Sequence, residues 1–358
     1  MTRLRRDLLE LMQVPGLSGH EDRIRAAIRA RLPEGVEART DVLGNLSVVF
    51  PGAGPRVMLF THMDQLGFIV RKVEADGALR VERLGGVPER ALAGQAVVVC
   101  TGNGDVPGVI ANKSHHATTP EEKYTVVRAP DLRIDCGFSS RSEAEAAGVR
   151  IGSPVVYRPN AMELAGGRIC GTAVDDRAGC AVLLEVIRAL GRREGGPEVH
   201  VVFSVQEEFN LRGAQVAAQQ IRPQVAIQVD LMNATDTPDM ADRGDMHLGQ
   251  GPGISLYSFH GRGTLNGVIP HPGLVAVMEA AAATAGVNLQ RSAQVGVLTD
   301  LSYVQLVGAG VAAVDVGFPM RYSHSAVEMV DLSDLDGLVR LLVAALAAMS
   351  PDFRLERD

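Results

Sequence analysis

The spacing of apolar positions changes twice along the chain, and each change predicts a change of architecture. Residues 3–13 have helical spacing and stop before Pro15-Gly16. Ser18, with Glu21 three positions on, has the form of a capping box and predicts a helix to about residue 32. Residues 45–50 and 57–60 read as strands around the turn Pro51-Gly52-Ala53-Gly54. From about residue 68 to 159 the pattern shortens to strands at 78–83, 95–101, 106–111, 132–136 and 154–157, separated by Gly and Pro turns, with one short helix at 142–147. After Gly171 the longer rhythm returns, with helices at 177–192, 212–220, 272–285 and 332–349 and strands at 200–205, 225–229 and 311–316. Ser333 and Asp336 are expected to cap the last helix. The pattern predicts an α/β unit, residues 1–67 plus 166–358, interrupted by a small β-rich unit, residues 68–165.

Composition narrows the function classes. The chain has 358 residues with 46% hydrophobic content, enough for a full core. A net charge of −7 argues against a nucleic-acid partner. With no Trp and only 4% aromatic residues, stacking platforms for bases or sugars are scarce. The N-terminus MTRLRRDLLELMQ lacks the apolar core of a signal peptide, and the apolar run 338–349 is interrupted by Arg340 and too short to span a bilayer. Cys100, Cys136, Cys170 and Cys180 show no CxxC spacing, so a reduced, cytoplasmic chain with no membrane partner is expected.

The candidate chemistry sits where apolar strands end. VVFSVQEEFNLRG runs from a buried strand straight into Glu207 and Glu208, and carboxylates beside a core are costly without a positive partner. LFTHMDQLGF places His62 and Asp64 two apart, so that in extended chain Asp64 can orient the imidazole. GTAVDDRAG puts Asp175 and Asp176 before a helix, VAIQVDLM ends on Asp230, and RYSHSAVEM brings His324 after a strand. Alone, the Glu207-Glu208 and His62-Asp64 stretches read more simply as polar turns, and a plain helix cap explains Asp175-Asp176 equally well. Together they place acids and histidines at the carboxyl ends of strands, where open α/β sheets gather ligands. Two histidines with several carboxylates suit a divalent metal such as zinc or cobalt. One glutamate of the pair is then expected to bind the cation and the other to move protons.

In six stretches the sequence resembles the tetrahedral dinuclear-metal aminopeptidases, also called glutamyl or deblocking aminopeptidases. They are THMDQLGF, NKSHHATTPEEKY, GTAVDDRAG, VQEEFNLRGA, QVDLMNATDTP and RYSHSAVEM; they occur in the family's order and span most of the chain. The resemblance implies a zinc-peptidase-like three-layer αβα fold with a central mixed sheet, interrupted by a barrel or PDZ-like dimerisation domain. It also implies two divalent ions per subunit, Zn2+ or Co2+. His62, Asp175 and Asp230 would hold one and Asp175, Glu208 and His324 the other, with Asp175 bridging and its peptide to Asp176 cis. Glu207 would be the general base acting on a metal-bridging water, and Asp64 the orienting acid. Peptides would be the substrates, and copies would assemble as a homo-oligomer, a dodecamer built from dimers. Two positions depart from the family pattern: Asn210 stands where Gly is usual, and Gln65 where an acid is common.

Two other readings compete. A glycosidase would use Glu207 with a second carboxylate but leave His62, His324 and Asp230 without a role. A non-catalytic assembly protein of this fold would have no need of a complete ligand set. His115 and His116 are expected either to line a substrate path or to serve an ordinary loop; His20, His200, His247, His260 and His271 are expected to be structural or superficial. The β-rich insert is expected to sit away from the edge of the sheet that carries the site.

Overall fold

A computed structural model describes residues 2–191, 193, 195–261 and 266–355. Its centre is a mixed sheet ordered Ala38–Thr40, Leu46–Phe50, Glu198–Ser204, Arg56–His62, Val225–Asn233, Ala312–Met320, Gly253–Phe259 and Gly267–Val268, with Gln290–Val295 also paired to Gly253–Phe259. The four strands from Glu198–Ser204 to Ala312–Met320 are parallel, so their carboxyl ends lie along one edge.

Burial on both faces explains their continuous apolar character. In Arg56–His62, Val57 and Leu59 point into one core while Met58 and Phe60 point into another. The first core is closed by helices Arg3–Leu11, Val174–Leu190, Pro272–Ala285 and Leu332–Ala347. The second is closed by the shorter helices Gly213–Ile221 and Leu301–Val304. The result is the three-layer αβα arrangement with a mixed central sheet. No helix among the described residues is long and apolar enough to cross a membrane.

Between Arg56–His62 and Val174–Leu190 the chain forms a closed antiparallel barrel of six strands, in the order Gly67–Val73, Leu79–Leu84, Ile134–Asp135, Gly104–Ile110, Ala96–Thr101 and Pro154–Tyr157. It has its own core of Phe68, Val70, Val81, Val97, Ile134 and Val155, with Phe68 and Tyr157 edge to face at 6.2 Å. A three-stranded sheet of Ala161–Glu163, Arg168–Gly171 and Glu328–Asp331 follows it.

Three local expectations are corrected. The second helix begins at Asp22, and neither Ser18 nor Glu21 caps it through its side chain. The last helix is capped by Asp331, whose carboxylate accepts the N–H of Ser333 at 2.9 Å, rather than by Ser333. Strands Gly253–Phe259 and Gln290–Val295 were not expected; QRSAQV is too polar to signal a strand and is held by pairing on one side only.

Candidate metal centre

The parallel strands deliver the site. His62 ends its strand opposite Ser204, whose strand runs on into the Glu207-Glu208 loop. Asp230 lies near the end of Val225–Asn233 opposite Gly317, where the Asp230 carbonyl leaves no room for a Cβ. Asp175 comes from the first turn of Val174–Leu190, where its backbone is not yet helical and its peptide bond to Asp176 is cis. His324 sits in the loop after Ala312–Met320 in a left-handed conformation, φ 66°.

These side chains converge. Asp175 Oδ1 lies 3.0 Å from His62 Nε2, and its Oδ2 lies 3.4 Å from His324 Nε2, which is 3.8 Å from Glu208 Oε1. Donor atoms of His62, Asp175 and Asp230 all fall within 4.8 Å of one another, as do those of Asp175, Glu208 and His324. Asp64 sits behind them, 3.5 Å from His62 Nδ1, and accepts the backbone N–H of Glu207 at 3.0 Å and of Glu208 at 3.1 Å. Glu207 is buried and lines the same cleft, which encloses about 420 Å³.

The electrostatics of this cluster call for positive charge. Burial pushes the carboxyl of Glu207 well above its usual range, and those of Glu208 and Asp230 up to about 7. Burial also opposes charge on His62 and His324, but Asp175 and the neighbouring acids outweigh it and raise both imidazoles well above their ordinary pKa. Asp175 is held low against its burial by the two histidines. Glu208 Oε1 and His62 Nδ1 are buried without a hydrogen-bond partner. A set of two imidazoles and three carboxylates, with an orphaned carboxylate oxygen facing inward, fits borderline divalent cations.

Several residues carried no local signal that assigned them their part in the site. Ser18 donates its hydroxyl to Asp64, and Glu21 accepts the N–H of Gln206 at 3.2 Å. Buried Glu328 joins two of the donors: its Oε2 accepts the N–H of Asp175 at 3.0 Å and its Oε1 that of His324 at 2.8 Å. Thr61 donates to Asp176, which also accepts the N–H of Gly179 at 2.9 Å. The barrel does not stand clear of this edge: Gly86 and Pro88 line the cleft, and the Gly86 carbonyl lies 3.2 Å from His324 Nδ1. The cleft is also lined by His260, whereas the expectation gave it a structural or superficial place. Exposed His115 and His116 are not among its lining residues. Of the two departures, Asn210 lines the cleft with φ 66°, and Gln65 is buried, its Oε1 accepting from Gly16 N at 3.1 Å and Arg177 Nη2 at 3.2 Å.

Behind Asp230 lies Asp315, buried at 3% exposure, with its carboxyl pushed up to about 8 by burial and the nearby Asp230. A buried acid with a raised pKa keeps its proton in the folded state while the unfolded chain ionises. Stability is therefore lost as pH rises from about 4 to about 8. Asp315→Asn keeps an acceptor for the Thr299 hydroxyl and removes this penalty. The variant's stability advantage over the wild type is expected to widen between pH 5 and 8, reaching on the order of 1–3 kcal/mol and read as a growing gap in melting temperature. A constant gap across that range would show that Asp315 is not protonated in the folded protein.

The model of the M42 glutamyl aminopeptidase family matches residues 44–341. The lysyl aminopeptidase of Pyrococcus furiosus is 32% identical over 348 residues, covering 96% of each chain. A TET aminopeptidase from a marine-sediment Thaumarchaeota archaeon superposes with a TM-score of 0.91 at 33% identity, covering 97% of each chain. The TET1 peptidase of Pyrococcus horikoshii, described as assembling into a tetrahedron or a large octahedral shell, does so with a TM-score of 0.86 at 30% identity over 96% of this chain and 99% of that one. Matched through most of its length by the family and by relatives of its own size, the chain belongs to the M42 glutamyl aminopeptidase family of metal-dependent peptidases.

Proposed function

We propose that the protein is a dinuclear-metal aminopeptidase that removes N-terminal residues from peptides, with Zn2+ or Co2+ as its ions. The observation that carries this reading is the placement of Asp175 between two donor sets, one oxygen toward His62 and the other toward His324. His62, Asp175 and Asp230 would hold one ion and Asp175, Glu208 and His324 the second. When bound, such a pair supplies Lewis acidity, lowering the pKa of a water toward neutrality and polarising a carbonyl.

The chain's own groups do the rest. Glu207, buried and outside both donor sets, takes the proton from the attacking water and passes it to the leaving amine. Burial raises its pKa, which makes it a stronger proton acceptor than an ordinary carboxylate. Asp64 orients His62 and fixes the backbone of both glutamates. The donor set leaves a glycosidase reading without a use for His62, His324 and Asp230.

We further propose that residues 68–165 form the unit through which copies pair, and that pairs build a dodecamer. The barrel exposes Val109, Tyr124, Val126 and Val127, and the relative that assembles into a shell matches the chain across its length.

The test is hydrolysis of a panel of aminoacyl-anilides by chelator-stripped protein reloaded with zinc, cobalt or manganese. Stripped protein is expected to lose nearly all turnover and to regain it at two ions per chain. Undiminished hydrolysis after complete removal of metal, or hydrolysis of glucan but of no aminoacyl-anilide, would overturn the proposal.

A further inference from the structure

The loop that carries the glutamate pair is not held by itself. Gln206, Asn210 and Leu211 all take left-handed backbone conformations, with φ of 57°, 66° and 57°, and none is glycine. Such conformations persist only where surrounding contacts over-determine them. Three consecutive N–H groups of this loop are accepted by two carboxylates from elsewhere in the chain. Glu21 Oε1 takes Gln206 N at 3.2 Å, Asp64 Oδ1 takes Glu207 N at 3.0 Å, and Asp64 Oδ2 takes Glu208 N at 3.1 Å.

Both carboxylates are tied to one N-terminal strap. Gly16 O accepts Gln65 N at 2.9 Å, Ser18 N donates to Gln65 O at 3.3 Å, and the Ser18 hydroxyl donates to Asp64. Glu21 is 4% exposed and stands at the head of the helix Asp22–Arg29, yet its carboxylate caps nothing there. The same Oε1 instead accepts Gly19 N at 2.6 Å and Gln206 N. Glu21 belongs to neither donor set and does not line the cleft, so it touches no reacting group.

We infer that Glu21 is a positioning residue: by holding Gln206 N–H it sets the turn from which Glu207 projects into the cleft. The inference rests on the reading of Glu207 as the base. One oxygen receives both N–H groups, so a carbonyl at the same reach can replace it, whereas a shorter or missing side chain cannot.

The test compares Glu21→Ala, Glu21→Asp and Glu21→Gln with wild type and Glu207→Gln, each loaded with cobalt. It uses the aminoacyl-anilide that the wild type turns over fastest. Glu21→Ala and Glu21→Asp are expected to lower kcat about 10–100-fold, the scale of a displacement near 1 Å at a reacting centre. KM is expected to stay within about 3-fold and metal content to be unchanged, because no donor is removed. Glu21→Gln is expected to stay within about 3-fold of wild-type kcat. The inference is overturned if Glu21→Asp matches wild type, if Glu21→Gln loses as much as Glu21→Asp, or if the loss tracks lost metal. Should Glu21→Ala fail to fold, the Asp and Gln variants decide alone. If Glu207→Gln is fully active, the base assignment falls whatever the Glu21 variants do. If it is inactive while Glu21→Asp is not, only the positioning role falls.

Discussion

Glu207→Gln is expected to keep its full complement of metal and lose nearly all peptide hydrolysis. Gln has the same volume and one acceptor oxygen, so the packing around a side chain only 9% exposed is undisturbed. The backbone N–H of residue 207 still reaches Asp64, so the loop keeps its course. What disappears is the ability to take a proton. Loss of general-base assistance alone costs about 10²–10⁴-fold in rate. The folded protein should not suffer, because the native carboxyl is already strained by burial and the amide relieves it. Metal content and turnover measured on one preparation decide the matter. A variant with both ions that turns over like wild type would remove Glu207 from the chemistry.

Glu208→Gln is expected to fail by a different route. Glu208 Oε1 is buried without a hydrogen-bond partner, 3.8 Å from His324 Nε2, and its carboxyl is pushed to about 7 by burial. Such a group is favourable as an anion only when a cation sits against it. The amide removes that charge from the set shared with Asp175 and His324, so the second ion should bind at least about 10–100-fold more weakly, the range seen for lost partners of metal ligands. After dialysis the protein should carry close to one ion per chain. Activity should return in part as metal is added, with a rising dependence on pH because proton and cation compete for the remaining donors. Turnover that stays low at saturating metal with both ions bound would instead place Glu208 in proton transfer, and the roles of the pair would be exchanged.

The two glutamates were legible in the sequence because a buried strand that ends on carboxylates is locally anomalous. The same logic found His62, Asp175, Asp230 and His324, since each lies where an apolar strand or helix meets a loop and parallel strands bring those ends to one edge. Periodicity also foretold the alternation of helices and strands and the dense short strands that close into the barrel. What local pattern could not decide was which of two competing partners a polar side chain takes. Ser18 and Glu21 have the spacing of a capping box, worth about 1 kcal/mol. In the folded chain Ser18 meets a buried carboxylate 46 positions away, and Glu21 meets Gln206, 185 positions away. A hydrogen bond involving an ionised group in a dry setting is the stronger of the two, and it exists only once the strands are side by side. Nothing local marks Glu328, yet its two oxygens hold the backbone of Asp175 and His324. The Gly86 carbonyl reaches His324 because the barrel leans on the sheet edge, which no spacing within residues 68–165 encodes. Sequence by itself determined which residues would be costly to bury alone. The tertiary structure decided what each was buried against, because those partners lie tens to hundreds of residues apart and only chain folding sets their distances.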